Sequence, residues 1–190
     1  MTPLLYKTVC VLVAGPIGSG KTTFCDMLLT EMYNLGWRSI KSSFSSRIKE
    51  IAHMMGWDGT KDEKGRKLLQ FIGTECGRVY DPDVWVSYLI DQNLPNRTMY
   101  PFDIVIVDDW RFPNEREYIE RNGLYDVYPM RIVRDVESND HISEKALPDF
   151  LYHSDYYHTI IYNTGDLYSL QRSARATSEY IKTKYNKGVK

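Results

Sequence analysis

Hydrophobic positions along this chain switch between two periods, and the switches mark out an alternation of strands and helices. The continuous apolar run Val9-Cys10-Val11-Leu12-Val13-Ala14 suits a central parallel strand, buried on both faces. Phe24, Met27, Leu28, Met32 and Leu35 then recur at helical spacing, and Gly36 is the expected stop. Residues 38–44 read as a second strand, after which Ser45 or Ser46 can cap a helix carrying Ile48, Ile51, Ala52 and Met55. A polar helix starting near Lys61 carries Leu68, Leu69, Phe71 and Ile72, and Asp81-Pro82-Asp83 opens another through Trp85, Tyr88, Leu89 and Ile90. An apolar strand is predicted over 102–109, a helix from Arg111 to about Arg121 that stops at Gly123, and a strand over 125–134. Residues 158–163 read as a last strand and 167–185 as a terminal helix. The stretch 135–158 is long, polar and aromatic; it reads as a mobile, lid-like segment with a short helix after Ser143. Strand and helix alternate throughout, which argues an α/β fold with a mainly parallel sheet of five strands.

One junction in this pattern carries chemistry. Between the first strand and the first helix stands Gly15-Pro16-Ile17-Gly18-Ser19-Gly20-Lys21-Thr22, which fits G-x-x-x-x-G-K-[ST], the phosphate-binding loop of P-loop proteins. Glycines free the backbone to turn successive N–H groups toward phosphate oxygens. The helix N-terminus behind the loop adds orphan donors and a favourable dipole. Lys21 supplies a charge for the β- and γ-phosphates, and the hydroxyl of Thr22 can serve a magnesium ion. The alternative, a glycine-rich turn with an incidental lysine, lacks the strand before and the helix after that both stand here. A second junction supports the first: the strand over 102–109 delivers Asp108 and Asp109 at its C-terminal end, the edge where ligands bind in open parallel sheets. One of the two is expected to hold the metal or its water shell, against the alternative of a helix cap.

Composition narrows the class. The chain has 190 residues, 43% of them hydrophobic, which is enough for one P-loop domain over 1–190. A net charge of −1 without a long basic run argues against stable nucleic-acid binding. Three scattered cysteines (Cys10, Cys25, Cys76) without zinc spacing fit a reducing compartment. The absence of a signal-peptide pattern or a membrane-length apolar run leads to the expectation of a cytoplasmic protein with no membrane contact.

Polar residues that a sheet does not need cluster in two places. Within 69–78, Gln70 and Glu75 can hydrogen-bond a base edge and Arg78 can bind a phosphate, or all three simply face solvent. Trp85 is either core or a stacking platform. Arg111, Arg131 and Arg134 form an arginine set of the kind that follows charge during phosphoryl transfer, though each alone suits a surface ion pair.

The run 69–78 (Leu-Gln-Phe-Ile-Gly-Thr-Glu-Cys-Gly-Arg), Trp85, the run 107–115 (Val-Asp-Asp-Trp-Arg-Phe-Pro-Asn-Glu), Arg134, His141-Ile142-Ser143-Glu144 and Asn163 together resemble the bacteriophage deoxynucleoside monophosphate kinases, within the nucleoside monophosphate kinase superfamily. The likeness extends from about Val9 to Leu170. It implies a nucleoside monophosphate kinase-like P-loop fold, acceptor-binding helices over about 45–95, a lid over about 135–158, and ATP with Mg2+ as donor. By the same resemblance Asp109 matches the family aspartate, Arg111 the active-site arginine and Arg134 the lid-side arginine, with Lys21 completing the catalytic set. Gln70, Glu75, Arg78 and Trp85 match the monophosphate region, joined by Arg111 and Glu115. Gly15, Ile17, Gly18, Ser19, Gly20, Lys21, Thr22 and Thr23 would hold ATP, and Asn163 would lie near its adenine. Many family members have Lys-Asp-Thr where this chain has Lys21-Thr22-Thr23, so either threonine can be the metal hydroxyl. A viral source, host-cytoplasm location and deoxynucleotide biosynthesis follow from the resemblance alone; a homodimer is possible.

The expected reaction is ATP plus a deoxynucleoside monophosphate giving ADP plus the diphosphate. Its rivals are a P-loop kinase of another small phosphorylated acceptor and a non-kinase nucleotide-dependent switch or assembly protein. A switch has no need of a second anion pocket, so the Gln70 to Arg78 cluster tells against it.

Overall fold

The computed structural model describes residues 7–94, 102–135, 146–147 and 156–185. Its centre is β1 (Thr8–Ala14), whose residues from Val9 to Ala14 are all sealed from solvent. Five strands form one sheet in the order β2-β3-β1-β4-β5, with every pairing parallel. β3 (Ile104–Val107) lies on one side of β1, with Val9 opposite Ile104 and Leu12 opposite Val107. β4 (Tyr125–Val133) lies on the other side, with Thr8 opposite Tyr125 and Ala14 opposite Arg131. β2 (Ser39–Ser42) and β5 (Thr159–Tyr162) form the two edges. This is an α/β fold of the P-loop type.

The helices follow from where apolar side chains fall. α1 (Lys21–Asn34) buries Phe24, Cys25, Leu28 and Met32, a stripe one helical turn wide, against Val9, Val11 and Val13. The C-terminal helix, α6 (Leu167–Tyr185), places Leu170, Ala174 and Ile181 in the same core and packs along α1. α5 (Pro113–Asn122) packs on β4, with Ile119 fully buried. Among the described residues no helix is long and apolar enough to cross a membrane.

Backbone contacts divide the chain into two units, Met1–Ser42 with Tyr100–Lys190, and Ser43–Met99. The first holds the sheet, α1, α5 and α6. The second is helical: α2 (Ser46–Met54), α3 (Glu63–Gln70) and α4 (Val84–Ser87). α3 begins at Asp62, whose carboxylate accepts the Gly65 N–H at 2.7 Å. Its continuation, Phe71–Arg78, winds as a π-helix, as does Tyr88–Asn93 after α4.

Several expected boundaries move. β2 and β3 are shorter than 38–44 and 102–109: Phe44, Asp108 and Asp109 turn away, and Arg38, Ser43, Phe102 and Asp103 lie outside the ladder. Ser45 precedes α2, but its side chain makes no cap to the helix backbone. Phe71, expected on the buried face, is 52% exposed; the π-helical register from Phe71 onward departs from the 3.6-residue period that placed it there. The lid-like segment expected over 135–158 lies outside the described residues, apart from Asp135, Ala146, Leu147, Tyr156, Tyr157 and His158.

Candidate phosphoryl-transfer site

The loop after β1 runs into α1 through Gly20, whose φ of +93° lies in the left-handed region. A side chain there would be strained, and it would also collide: a Cβ on Gly20 would lie 2.6 Å from the Asn163 side-chain nitrogen. Asn163 is buried just beyond β5 and donates its Nδ2–H to the Ser19 carbonyl at 2.9 Å. The far end of the sheet therefore braces the loop from beneath. Thr22 and Thr23 are both exposed in the first turn of α1. Ile17 and Gly18 form the exposed tip, and Ser19 is fully buried.

Lys21 is held over this loop by its own backbone. Its Nζ donates to the carbonyls of Gly15 at 2.6 Å and Pro16 at 2.7 Å. Burial, then the neighbouring charge of Arg111, press the ammonium down to about 8, with Asp109 and Asp108 pulling the other way. Arg111 is likewise lowered by burial and held up by Asp109 and Glu115. Two cations and two carboxylates thus share one field at the C-terminal edge of the sheet, where β1 and β3 end side by side.

What fixes Arg111 is the start of α5. Glu115 is 1% exposed, and its Oε2 accepts the backbone N–H of Arg111 at 2.9 Å and of Phe112 at 3.0 Å. This satisfies donors that a helix N-terminus would otherwise leave open, with Pro113 occupying the first turn. The buried Trp110 indole donates to the Phe112 carbonyl at 2.9 Å and stacks on Tyr156 with ring centroids 5.7 Å apart. Asp109 and Arg111 are therefore set on either side of a tryptophan locked into the core.

Sequence reasoning passed over two neighbours of the site. Lys41, on β2, forms an ion pair with Asp26 of α1 and lies 4.0 Å from Asp108. No motif marks Lys41, because its partners are 15 and 67 positions away and meet only when β2 pairs with β3. Trp110 reads as part of a motif in the sequence but acts as an anchor. Arg131, counted with Arg111 and Arg134 in the arginine set, lies in β4 and donates to the Tyr157 hydroxyl at 3.1 Å. Arg134 follows the end of β4 and is exposed.

Of the residues matched to a monophosphate region, Gln70, Glu75, Arg78 and Trp85 lie in the helical unit, and Arg111 and Glu115 lie in the sheet-bearing unit. Arg78 donates to the Pro82 carbonyl at 3.0 Å, Glu75 is exposed and Gln70 half-buried. Trp85, open to reading as platform or core, is 4% exposed with its Nε1–H given to the Gly73 carbonyl at 2.7 Å. It is a packing residue, and its ring is not a surface on which a base can stack.

No protein-family profile matches the chain, and no curated protein does. Among solved structures, an APS kinase of Mycobacterium tuberculosis is 9% identical, covering 93% of this chain and 99% of that one with a TM-score of 0.47. A gluconokinase from Sinorhizobium meliloti is 12% identical, covering 97% and 99% with a TM-score of 0.49. A shikimate kinase from Bacteroides thetaiotaomicron is 13% identical, covering 92% and 98% with a TM-score of 0.46. Likeness at this level says nothing of an acceptor, and the functional reading rests on this chain's own residues.

Proposed function

We propose that this protein transfers the γ-phosphoryl group of ATP to a deoxynucleoside monophosphate, giving ADP and the diphosphate. The observation that carries the reading is the placing of Lys21 and Arg111: two cations in partly buried positions, both lowered first by burial, with Arg111 also lowering Lys21 and Asp109 holding both up. Like charges so placed are costly alone and favourable around a polyanion whose charge moves during reaction. A pure nucleotide switch needs the loop lysine but has no need of a second anion pocket such as the one assigned to Gln70, Glu75 and Arg78.

In this reading the backbone N–H groups of Gly15 and of the loop from Ile17 to Thr22, with the Lys21 ammonium, hold the β- and γ-phosphates, as suits an anion at a helix N-terminus. Mg2+ fits the donors present: a threonine hydroxyl and strand-end carboxylates are hard oxygen ligands, and the described residues contain no cluster of three or more His, Cys, Asp or Glu that would do without the phosphates. Thr22 and Asp109 would hold it, and when bound it neutralises charge on the β- and γ-oxygens. An oxygen of the acceptor phosphate attacks the γ-phosphorus as the bond to the bridging oxygen of ADP breaks, so no covalent enzyme intermediate is needed. Arg111 stabilises charge on the group in flight, Arg134 assists from the end of β4, and Arg78 with Gln70 and Glu75 receives the acceptor. Asn163, matched to the adenine region, supports the loop backbone in this chain.

The test is ADP release from ATP in the presence of dAMP, dGMP, dCMP, dTMP and dUMP, with AMP, adenosine phosphosulfate, gluconate and shikimate as non-family acceptors. At least one deoxynucleoside monophosphate should accelerate release strongly, and Lys21→Ala should lower that turnover by about 10²-fold or more. Acceleration by another acceptor alone moves the assignment to a different small-molecule kinase. ATP binding without acceleration by any acceptor leaves the switch reading.

A further inference from the structure

We infer that Trp85 is a positioning residue for Arg78: its indole, seated on Gly77 and bonded to Gly73, fixes the π-helical turn from which the Arg78 guanidinium is presented. The inference rests on the assignment of Arg78 to the acceptor phosphate.

Phe71–Arg78 is wound as a π-helix, a wider turn than the α-helix it continues. Such a turn needs something to hold its loosened register, and the Trp85 ring supplies two holds. The Nε1–H donates to the Gly73 carbonyl at 2.7 Å in a buried setting, where an unpaired N–H or carbonyl would be costly. Along the same edge of the indole, the ring lies directly on the backbone of Gly77. A Cβ there would stand 2.3 Å from Cζ2 and 2.8 Å from Cε2 of Trp85, so only glycine admits the ring. Gly73 and Gly77 are four residues apart and the indole spans both.

The chain then closes a small loop back to the same tryptophan. The Gly77 carbonyl accepts the Asp81 N–H at 2.9 Å, and Arg78 donates to the Pro82 carbonyl at 3.0 Å. The Asp81 carboxylate accepts the Asp83 N–H at 2.9 Å, after which Trp85 enters α4. Residues 78–84 are thus stapled at their base by one side chain, and Arg78 stands where the staple begins. Removing the staple should free the arginine without touching any ligand contact.

The experiment is steady-state kinetics with ATP and the best deoxynucleoside monophosphate for four proteins: wild type, Arg78→Ala, Trp85→Phe and the double variant, with thermal unfolding of each. Phenylalanine keeps an apolar ring and removes the N–H. Arg78→Ala and Trp85→Phe should each raise the acceptor KM at least tenfold while the ATP KM stays within twofold. The double variant should be no worse than Arg78→Ala, since a residue acting through another adds nothing once that other is gone. A KM that multiplies in the double variant, or a Trp85→Phe protein with a lower Tm and an unchanged acceptor KM, overturns the inference and leaves the acceptor assignment standing. An unchanged acceptor KM in Arg78→Ala overturns both. If Trp85→Phe does not fold, the wild-type indole N–H resonance of Trp85 decides. It should exchange slowly and hold the same shift whichever base is added as dAMP, dGMP, dCMP or dTMP. A shift that follows base identity would make Trp85 a base contact and end the positioning role.

Discussion

Lys21 carries two duties that pull its proton in opposite directions. Folding lowers it to about 8 from an unfolded value near 10.5, so the folded chain gives up this proton first. Below pH 8 both states are protonated and the cost of the buried charge is fully present. Between about 8 and 10.5 the unfolded chain binds more protons, so this group's contribution to stability rises with pH. Arg111 deepens the effect and Asp109, Asp108 and Cys25 oppose it. Folding also raises the Tyr128 and Tyr185 phenols through burial, so these groups add their own pH dependence. The measurement is therefore the difference in Tm between wild type and Lys21→Met from pH 7.5 to 10, which should move in favour of wild type as pH rises. A polyphosphate reverses the sign, because it favours the charged ammonium: ATP affinity should fall as pH passes through about 8. Lys21→Arg, charged throughout, should show a flat profile by calorimetric titration.

At the scale of the element, the first turn of α5 is where fold and site are one object. The Glu115 carboxylate closes that turn by accepting from Arg111 and Phe112, and in doing so sets the backbone from which the Arg111 guanidinium projects. Glu115→Ala should cost about 1–3 kcal/mol, the penalty for leaving buried donors unmet. Glu115→Gln keeps an acceptor oxygen and should retain most of that stability in urea unfolding while lowering turnover, because the charge that supports Arg111 is gone. This element also shows what the sequence can and cannot tell. Pro113 and Gly123 mark its ends, and the carboxylates of Asp108 and Asp109 were readable as a strand terminus because β3 is a plain apolar run. The loop 15–22 was readable for the same reason. Not readable were the π-helical turns, since hydrophobic patterns are judged against a period of 3.6, or the pairing of Lys41 with Asp26, which depends on strand order. Trp85 and Arg131 fall between: their residue types fitted ligand contact, and only packing shows that each serves another part of the chain.

At the scale of the whole molecule, a bond from beyond β5 reaches the phosphate loop near the start of the chain. Asn163 Nδ2 donates to Ser19 across 144 positions of sequence, placing the β5 end directly under the phosphate loop. Asn163→Ala should lower stability by about 1–3 kcal/mol and weaken ATP at least several-fold, while leaving the acceptor KM nearly unchanged. Gly20→Ala should produce the same pattern from the other side of the contact, since its methyl would occupy the place of the amide. Thermal unfolding with and without ATP separates the two effects: a variant that lost only stability would keep the full ligand-induced rise in Tm.

The central place of β1 has a consequence for how the chain is made. Its pairing partners β3 and β4 begin at Ile104 and Tyr125, so the second strand of the polypeptide's own inner sheet leaves the ribosome long after the first. At about 5–20 residues per second, Val9–Ala14 waits several seconds with both edges open. That hexapeptide is apolar, uncharged and free of proline, the composition that most readily pairs with a neighbouring nascent chain. A chaperone that shields extended apolar segments should therefore raise the yield of this protein during synthesis more than it aids refolding of the finished chain. Truncations ending before β4 should accumulate in the insoluble fraction even where β1, α1 and the phosphate loop are intact.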